Sequence, residues 1–142
     1  MQPILITWRR LVDEEGRTCD RCGGTEQELD KAMVFLEKAL MPLGIIFVLE
    51  KEALGHEEFA RNPQQSNSIL IDCQPLESWL AAEVGQSPCC GPCGDAECRT
   101  VTVEGMVYET IPAELIIKEA LKAAVKKVQE HFPPGQEQPG RP

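Results

Sequence analysis

Residues 3–49 read as a strand, a helix and a second strand, and that succession restricts the fold more than any other feature of the chain. Ile4, Ile6 and Trp8 recur at period two in the β-rich stretch Pro3 to Val12, as in a strand with one buried face. Asp13-Glu14-Glu15-Gly16-Arg17 ends it with charge and a glycine. Thr25 and Glu28 form a capping box, which predicts a helix starting there. Leu29, Met33, Leu36 and Leu40 continue at helical spacing to about Met41, and Pro42 and Gly44 stop it. The apolar run Ile45 to Leu49 has the signature of a strand buried on both faces. Two strands joined by a crossover helix pair in parallel, so the chain is α/β.

Later segments fill out that frame. Gly55 to Pro63 reads as a short helix and loop, Ser68 to Cys73 as a strand, and Leu76 to Val84 as a short helix. A cysteine-dense loop spans Gln86 to Cys98. Thr100 to Val103 and Met106 to Tyr108 flank Glu104-Gly105, a hairpin turn. Pro112 opens an amphipathic helix with Leu115, Ile116, Ala120, Leu121, Ala124 and Val128 on one face. Pro133 to Pro142 has no apolar periodicity and is expected to be a disordered tail. The 142 residues, 42% hydrophobic, suit one domain over residues 1–132. The expected architecture has three layers, a mixed central sheet with helices on both faces, and no internal repeat.

Charge narrows the function classes. Lys and Arg total 14 against 23 Asp and Glu, a net charge of −9, which repels phosphate backbones and argues against a nucleic-acid partner. No run approaches the roughly 18 apolar residues of a membrane span. The N-terminus lacks a signal peptide, so the expected compartment is the cytoplasm, where thiols stay reduced. The seven cysteines are Cys19, Cys22, Cys73, Cys89, Cys90, Cys93 and Cys98. An odd number of thiols in a reducing compartment points to redox or metal chemistry rather than a disulfide scaffold.

Cys19 and Cys22 lie between the first strand and the first helix. Helix-start amides stabilise a thiolate there, and Arg17 and Arg21 act in the same direction. Such a pair can alternate as attacking thiol, Cys19, and resolving thiol, Cys22. Strand, Cys-x-x-Cys and helix together resemble the thioredoxin fold over about residues 3–131. The chain is also similar to a group of uncharacterised, cysteine-rich, thioredoxin-like bacterial and archaeal proteins. The matching segments are Cys19-Asp20-Arg21-Cys22-Gly23, Ser68-Ile69-Leu70-Ile71-Asp72, Cys89-Cys90-Gly91-Pro92-Cys93-Gly94, Cys98-Arg99-Thr100 and Tyr108-Glu109-Thr110-Ile111-Pro112. The resemblance implies a fold and a redox site at this pair; as a thiol–disulfide oxidoreductase the chain would exchange with a protein or small-molecule partner. Two departures stand out. Thioredoxins carry a cis-proline before the third core strand, where this chain has Ser66-Asn67-Ser68. Gly23-Gly24 also follows Cys22 directly, which would delay the helix to Thr25.

The second cysteine group reads differently. Cys90-Gly91-Pro92-Cys93 spells the thioredoxin tetrapeptide, but it sits in a loop before a hairpin rather than at a strand-to-helix junction. Cys89, Cys90, Cys93 and Cys98 put four soft ligands within ten residues, which suits zinc, an iron–sulfur cluster or a thiophilic heavy metal. An alternative site joins Cys19 and Cys22 to Cys90 and Cys93. A non-catalytic metal-binding module is therefore the competing function. Cys73 reads as a small buried hydrophobe, His56 as a solvated side chain, and His131 as a cation at a helix C-terminus. Trp8 and Trp79 read as core or interface packing. No Ser/His/Asp set or phosphate-cradling glycine loop appears, so hydrolases and nucleotide enzymes gain no support. The oligomeric state is left open by these patterns.

Overall fold

A computed structural model describes residues 2–13, 15–16, 20–62, 65–79, 82–88 and 97–132, with only the backbone described for Asp20, Arg21, Pro88, Glu97 and Cys98. The chain is mixed α/β. Strand β1 (Ile4–Leu11) leads into helix α1 (Asp20–Leu40), a 3₁₀ turn at Met41–Leu43, and strand β2 (Phe47–Leu54). Helix α2 (His56–Arg61) precedes β3 (Ser68–Ile71), β4 (Gln74–Pro75) and α3 (Leu76–Trp79). Then come β5 (Glu83–Pro88), β6 (Glu97–Val103), β7 (Met106–Tyr108) and α4 (Ala113–His131).

The central sheet has the order β2-β1-β3-β4. As expected, β1 and β2 are parallel, Ile4 opposite Phe47 through Leu11 opposite Leu54. Strand β3 runs antiparallel to β1 and β4 antiparallel to β3. One face gathers Ile4, Ile6, Trp8, Phe47, Ile69 and Ile71, all buried. Helix α1 covers this face: Lys51, in register with Trp8, reaches Glu26 at 3.1 Å. Helix α4 packs beside α1 and brings Ile116, Ala120, Ala123 and Ala124 into the same core. Phe59 of α2 joins that core as well.

Four expectations are corrected. The run Ile45 to Leu49 is not buried on both faces: Ile45 and Phe47 turn into the core, while Ile46, just before β2, and Val48, in this edge strand, are exposed. The strand also continues through the charged Glu50-Lys51-Glu52. The helix read as extending to Val84 ends at Trp79, and residues 83–88 form β5 instead. That strand exists through its ladder to β6, where a Cβ on Gly85 would sit 2.8 Å from Thr100 Oγ1. The hairpin of β6 and β7 does not extend the central sheet but forms a second one, β5-β6-β7. Its turn is as read, with Glu104 and Gly105 both at positive φ, the geometry that fits right-handed strand twist. Finally, α1 starts at Asp20, before Thr25, for a reason that lies in the site.

Candidate functional site

The start of α1 packs where three segments meet. Because the helix begins at Asp20, Cys22 falls in its first turn, with its side chain 1% exposed. Gly23 and Gly24 continue the helix rather than delaying it. Gly24 has a packing role: a Cβ there would lie 2.9 Å from Thr110 Oγ1 and 3.0 Å from its Cγ2. Thr25 and Glu28 do not cap their own helix. The fully buried Thr25 Oγ1 accepts the Ile111 N–H at 3.1 Å, and Glu28 Oε1 accepts the Ala113 N–H at 3.3 Å. Ala113 opens α4, whose N-cap Pro112 has no side chain able to cap. Glu28 therefore supplies the missing acceptor from another helix, and its negative charge suits that end of the dipole. The Lys31 ammonium and the Ala113 N–H hold the Glu28 carboxyl below its ordinary value.

The second segment precedes β3. Ser66 is 1% exposed, and its Oγ accepts the Leu11 N–H at 3.0 Å while lying 3.8 Å from Cys22 Sγ. Either group can donate in this contact, because the hydroxyl keeps its proton and a second lone pair after accepting the backbone N–H. Asn67, also buried, adopts φ +58, a conformation asparagine tolerates better than most residues. That backbone turns its amide into a clamp. Oδ1 accepts the Trp8 indole N–H at 3.2 Å, and Nδ2 donates to the Glu109 carbonyl at 3.1 Å. The third segment, Glu109 to Ile111, is thus tied to both others. No cis peptide occurs among the described residues; Ser66 and Asn67 occupy the stretch where a proline was missed.

Orphan amides at a helix start favour negative charge, and a hydroxyl at the sulfur does the same. Both features lie at the buried Cys22 thiol. Trp8 is fully buried as expected, and it carries the guanidinium of Arg10 over its ring at 5.1 Å from the centroid.

The remaining predicted ligands fare differently. Cys19 lies outside the described residues, as do Arg17, Cys89, Cys90, Cys93 and the tail 133–142. Cys98 is in β6 with its backbone opposite Ser87. Among the described residues no group of three His, Cys, Asp or Glu side chains gathers as a metal site. Cys73 is corrected: it is exposed, not buried, in the β3–β4 turn. Asp72 and Cys73 both have positive φ there, and Asp72 Oδ1 accepts from Lys127 Nζ at 3.3 Å. Sequence reasoning missed Ser66, Asn67 and Arg10 as parts of the site. The only local signal was a Ser-Asn-Ser stretch entering a strand.

The family described as a domain of unknown function (DUF2703) matches residues 4–120. An uncharacterised protein of Archaeoglobus fulgidus is 42% identical over 113 residues, covering 80% of this chain and 82% of that protein. No solved structure matches the chain significantly. No helix among the described residues is long and apolar enough to cross a membrane.

Proposed function

We propose, for a chain that belongs to the DUF2703 family, a thioredoxin-like thiol–disulfide oxidoreductase in which Cys19 attacks and Cys22 resolves. The observation that carries this reading is the buried contact between Cys22 Sγ and Ser66 Oγ in the first turn of α1. The parallel β1–β2 pair, the antiparallel β3, and a cysteine pair between the end of β1 and the first turn of α1 support the thioredoxin-like assignment. The working compartment under this reading is the cytoplasm.

The exchange runs in two displacements. The Cys19 thiolate attacks one sulfur of a substrate disulfide, that S–S bond breaks, and the other sulfur leaves as a thiolate that takes a proton from water. Cys22 then gives up its proton and attacks the Cys19 sulfur, which releases the second substrate thiol. Two protein thiols become one disulfide, and one substrate disulfide becomes two thiols. A cytoplasmic dithiol reverses the exchange and regenerates the pair. Ser66 and the helix-start amides favour the thiolate that Cys22 must form, and burial shields it from other oxidants.

Cys22→Ser should accumulate a mixed disulfide at Cys19, read as a mass adduct, whereas Cys19→Ser should form none. Peptide mapping of oxidised wild-type protein that finds no Cys19–Cys22 bond overturns the assignment.

One observation favours an added role for the other cysteines. Ser87 pairs with Cys98 and Pro88 with Glu97, so the β5–β6 ladder sets the backbones of residues 88 and 97 opposite each other. That pairing suits a site in which Cys89, Cys90, Cys93 and Cys98 hold zinc, an iron–sulfur cluster or a thiophilic heavy metal. Zinc would supply a redox-inert cross-link. Cobalt added to reduced protein should give thiolate charge-transfer bands that Cys98→Ser weakens. Bands unchanged in that variant, or no uptake at micromolar cobalt, removes this role.

A further inference from the structure

Four cations are part-buried among the described residues, and three of them face a carboxylate: Arg9 with Glu52, Arg99 with Glu77 and Lys127 with Asp72. Arg10 is the fourth. It faces an aromatic ring instead, 5.1 Å from the centroid of Trp8, and its Nη1 is buried without a hydrogen-bond partner. A guanidinium nitrogen removed from water without a hydrogen-bond partner is costly, and in a chain of net charge −9 carboxylates are not scarce. The missing counter-charge is therefore a specific feature of this position.

Its strand position is linked to the thiol through Ser66 and Asn67. Strand β1 holds Trp8 and Arg10 on the face that α1 covers. The peptide N–H that follows Arg10, that of Leu11, ends on the Ser66 hydroxyl that touches Cys22 Sγ. The ring under the guanidinium is fixed by Asn67, the neighbour of Ser66. Two routes, each one hydrogen bond long, thus tie the peptide that follows Arg10 to Ser66, which contacts the sulfur, and the ring beneath its guanidinium to Asn67, the next residue. A guanidinium lying over a held indole has less freedom than one in open solvent, so a ligand meets a partly ordered donor set.

We propose that Arg10 is the anion-recognition residue of the Cys22 site, and that the disulfide reduced there is a small molecule bearing a carboxylate. This rests on reading Cys19 and Cys22 as the redox pair. A carboxylate is the planar partner that a guanidinium engages through two parallel N–H bonds. Smallness follows from the field of the whole chain. An acidic macromolecule would meet a surface of like charge, whereas a compact anion inside the Debye length of about 8 Å is governed by the nearest cation.

The test has two arms. The first reads binding without redox chemistry. Trp79→Phe leaves Trp8 as the sole tryptophan, so its indole N–H gives one assigned NMR resonance in the full-length reduced protein. Thiodipropionate, a thioether dicarboxylate that cannot exchange, should shift that resonance saturably, and its uncharged dimethyl ester should not. Arg10→Gln should weaken the binding at least tenfold, with Arg10→Lys in between. The second arm compares exchange rates with an anionic aromatic disulfide, dithiobis(nitrobenzoate), and a neutral one, dithiodipyridine. Arg10→Gln should slow the anionic reagent at least tenfold and the neutral one less than twofold. No saturable shift in the first arm overturns the proposal, as does equal slowing of both reagents. If thiodipropionate binds through Arg10 while the thiols exchange with neither reagent, the anion site stands and the redox assignment falls.

Discussion

The Thr25 hydroxyl of α1 accepts the backbone N–H of Ile111, a residue 86 positions later in the chain, in a fully buried contact. The bond fastens the approach to α4 onto the start of α1, next to the turn that carries Cys22. Val at position 25 keeps the shape and removes the acceptor, which leaves a buried amide without a partner at about 1–3 kcal/mol. Urea unfolding of Thr25→Val should show a loss in that range, and Thr25→Ser should recover most of it. A loss below 0.5 kcal/mol, on the scale of ordinary surface changes (about ±0.5 kcal/mol), would show that Ile111 finds another acceptor.

The adjacent glycines give opposite expectations from neighbouring positions. A Cβ on Gly23 meets nothing within 4 Å, while one on Gly24 meets two atoms of the Thr110 side chain at 2.9 and 3.0 Å. Rotating the branched threonine exchanges one of those atoms for another instead of clearing the space. Gly23→Ala should therefore stabilise the protein by about 0.5–1 kcal/mol through helix propensity alone. Gly24→Ala should lose more to overpacking than it gains, for a net loss of about 1 kcal/mol. Thermal or urea midpoints that move in the same direction for both variants would contradict the close approach of α1 and Thr110.

Glu28 makes a pH-dependent contribution. Its carboxyl is held below the ordinary value of 4.5, first by the hydrogen bond with Lys31 and then by the Ala113 N–H. A carboxyl with a lowered folded value stabilises the fold fully above its unfolded value and loses that effect as pH falls through the folded one. Glu28→Gln should thus cost about 0.3–1 kcal/mol near neutrality, the range for a charge at a helix terminus. The two proteins should converge in stability as pH drops below the carboxylate range. A difference that persists unchanged into strong acid would mean that Glu28 acts by shape, not by charge.

Local pattern carried part of this architecture and long-range contact the rest. Ile4, Ile6 and Trp8 at period two, the turn at Glu104-Gly105 and the apolar face of α4 each express their structure within a few residues, so they could be read directly. Residues 83–88 have no such pattern, and only pairing with β6 makes them a strand. Thr25 and Glu28 have the spacing of a capping box, yet their acceptors serve amides on the approach to α4. The site shows the same division. Cys22 announces itself through its spacing, while Ser66 is 44 residues away and gains its role only from the fold.

That distant serine is the most direct handle on the proposed chemistry. Ser66 performs two tasks with one hydroxyl, accepting the Leu11 N–H at 3.0 Å and lying 3.8 Å from Cys22 Sγ. Ser66→Ala removes both, so a stability loss of about 1–3 kcal/mol alone would speak only for the buried amide. The thiol contact needs its own readout. In the resolving step Cys22 must shed a proton before it attacks the mixed disulfide, and a hydroxyl donor stabilises the thiolate. Loss of one such bond, worth about 1.5–3 kcal/mol to a charged acceptor, should slow resolution roughly tenfold or more at pH 7. Raising the pH forms the thiolate without help, so the deficit should shrink toward alkaline solution. Stopped-flow release of the second thiol product, followed from pH 6 to 10 below the unfolding midpoint, measures this profile. A Ser66→Ala deficit that stays constant across the range would assign the slowing to displaced backbone, and no deficit would leave Ser66 as a structural acceptor for Leu11.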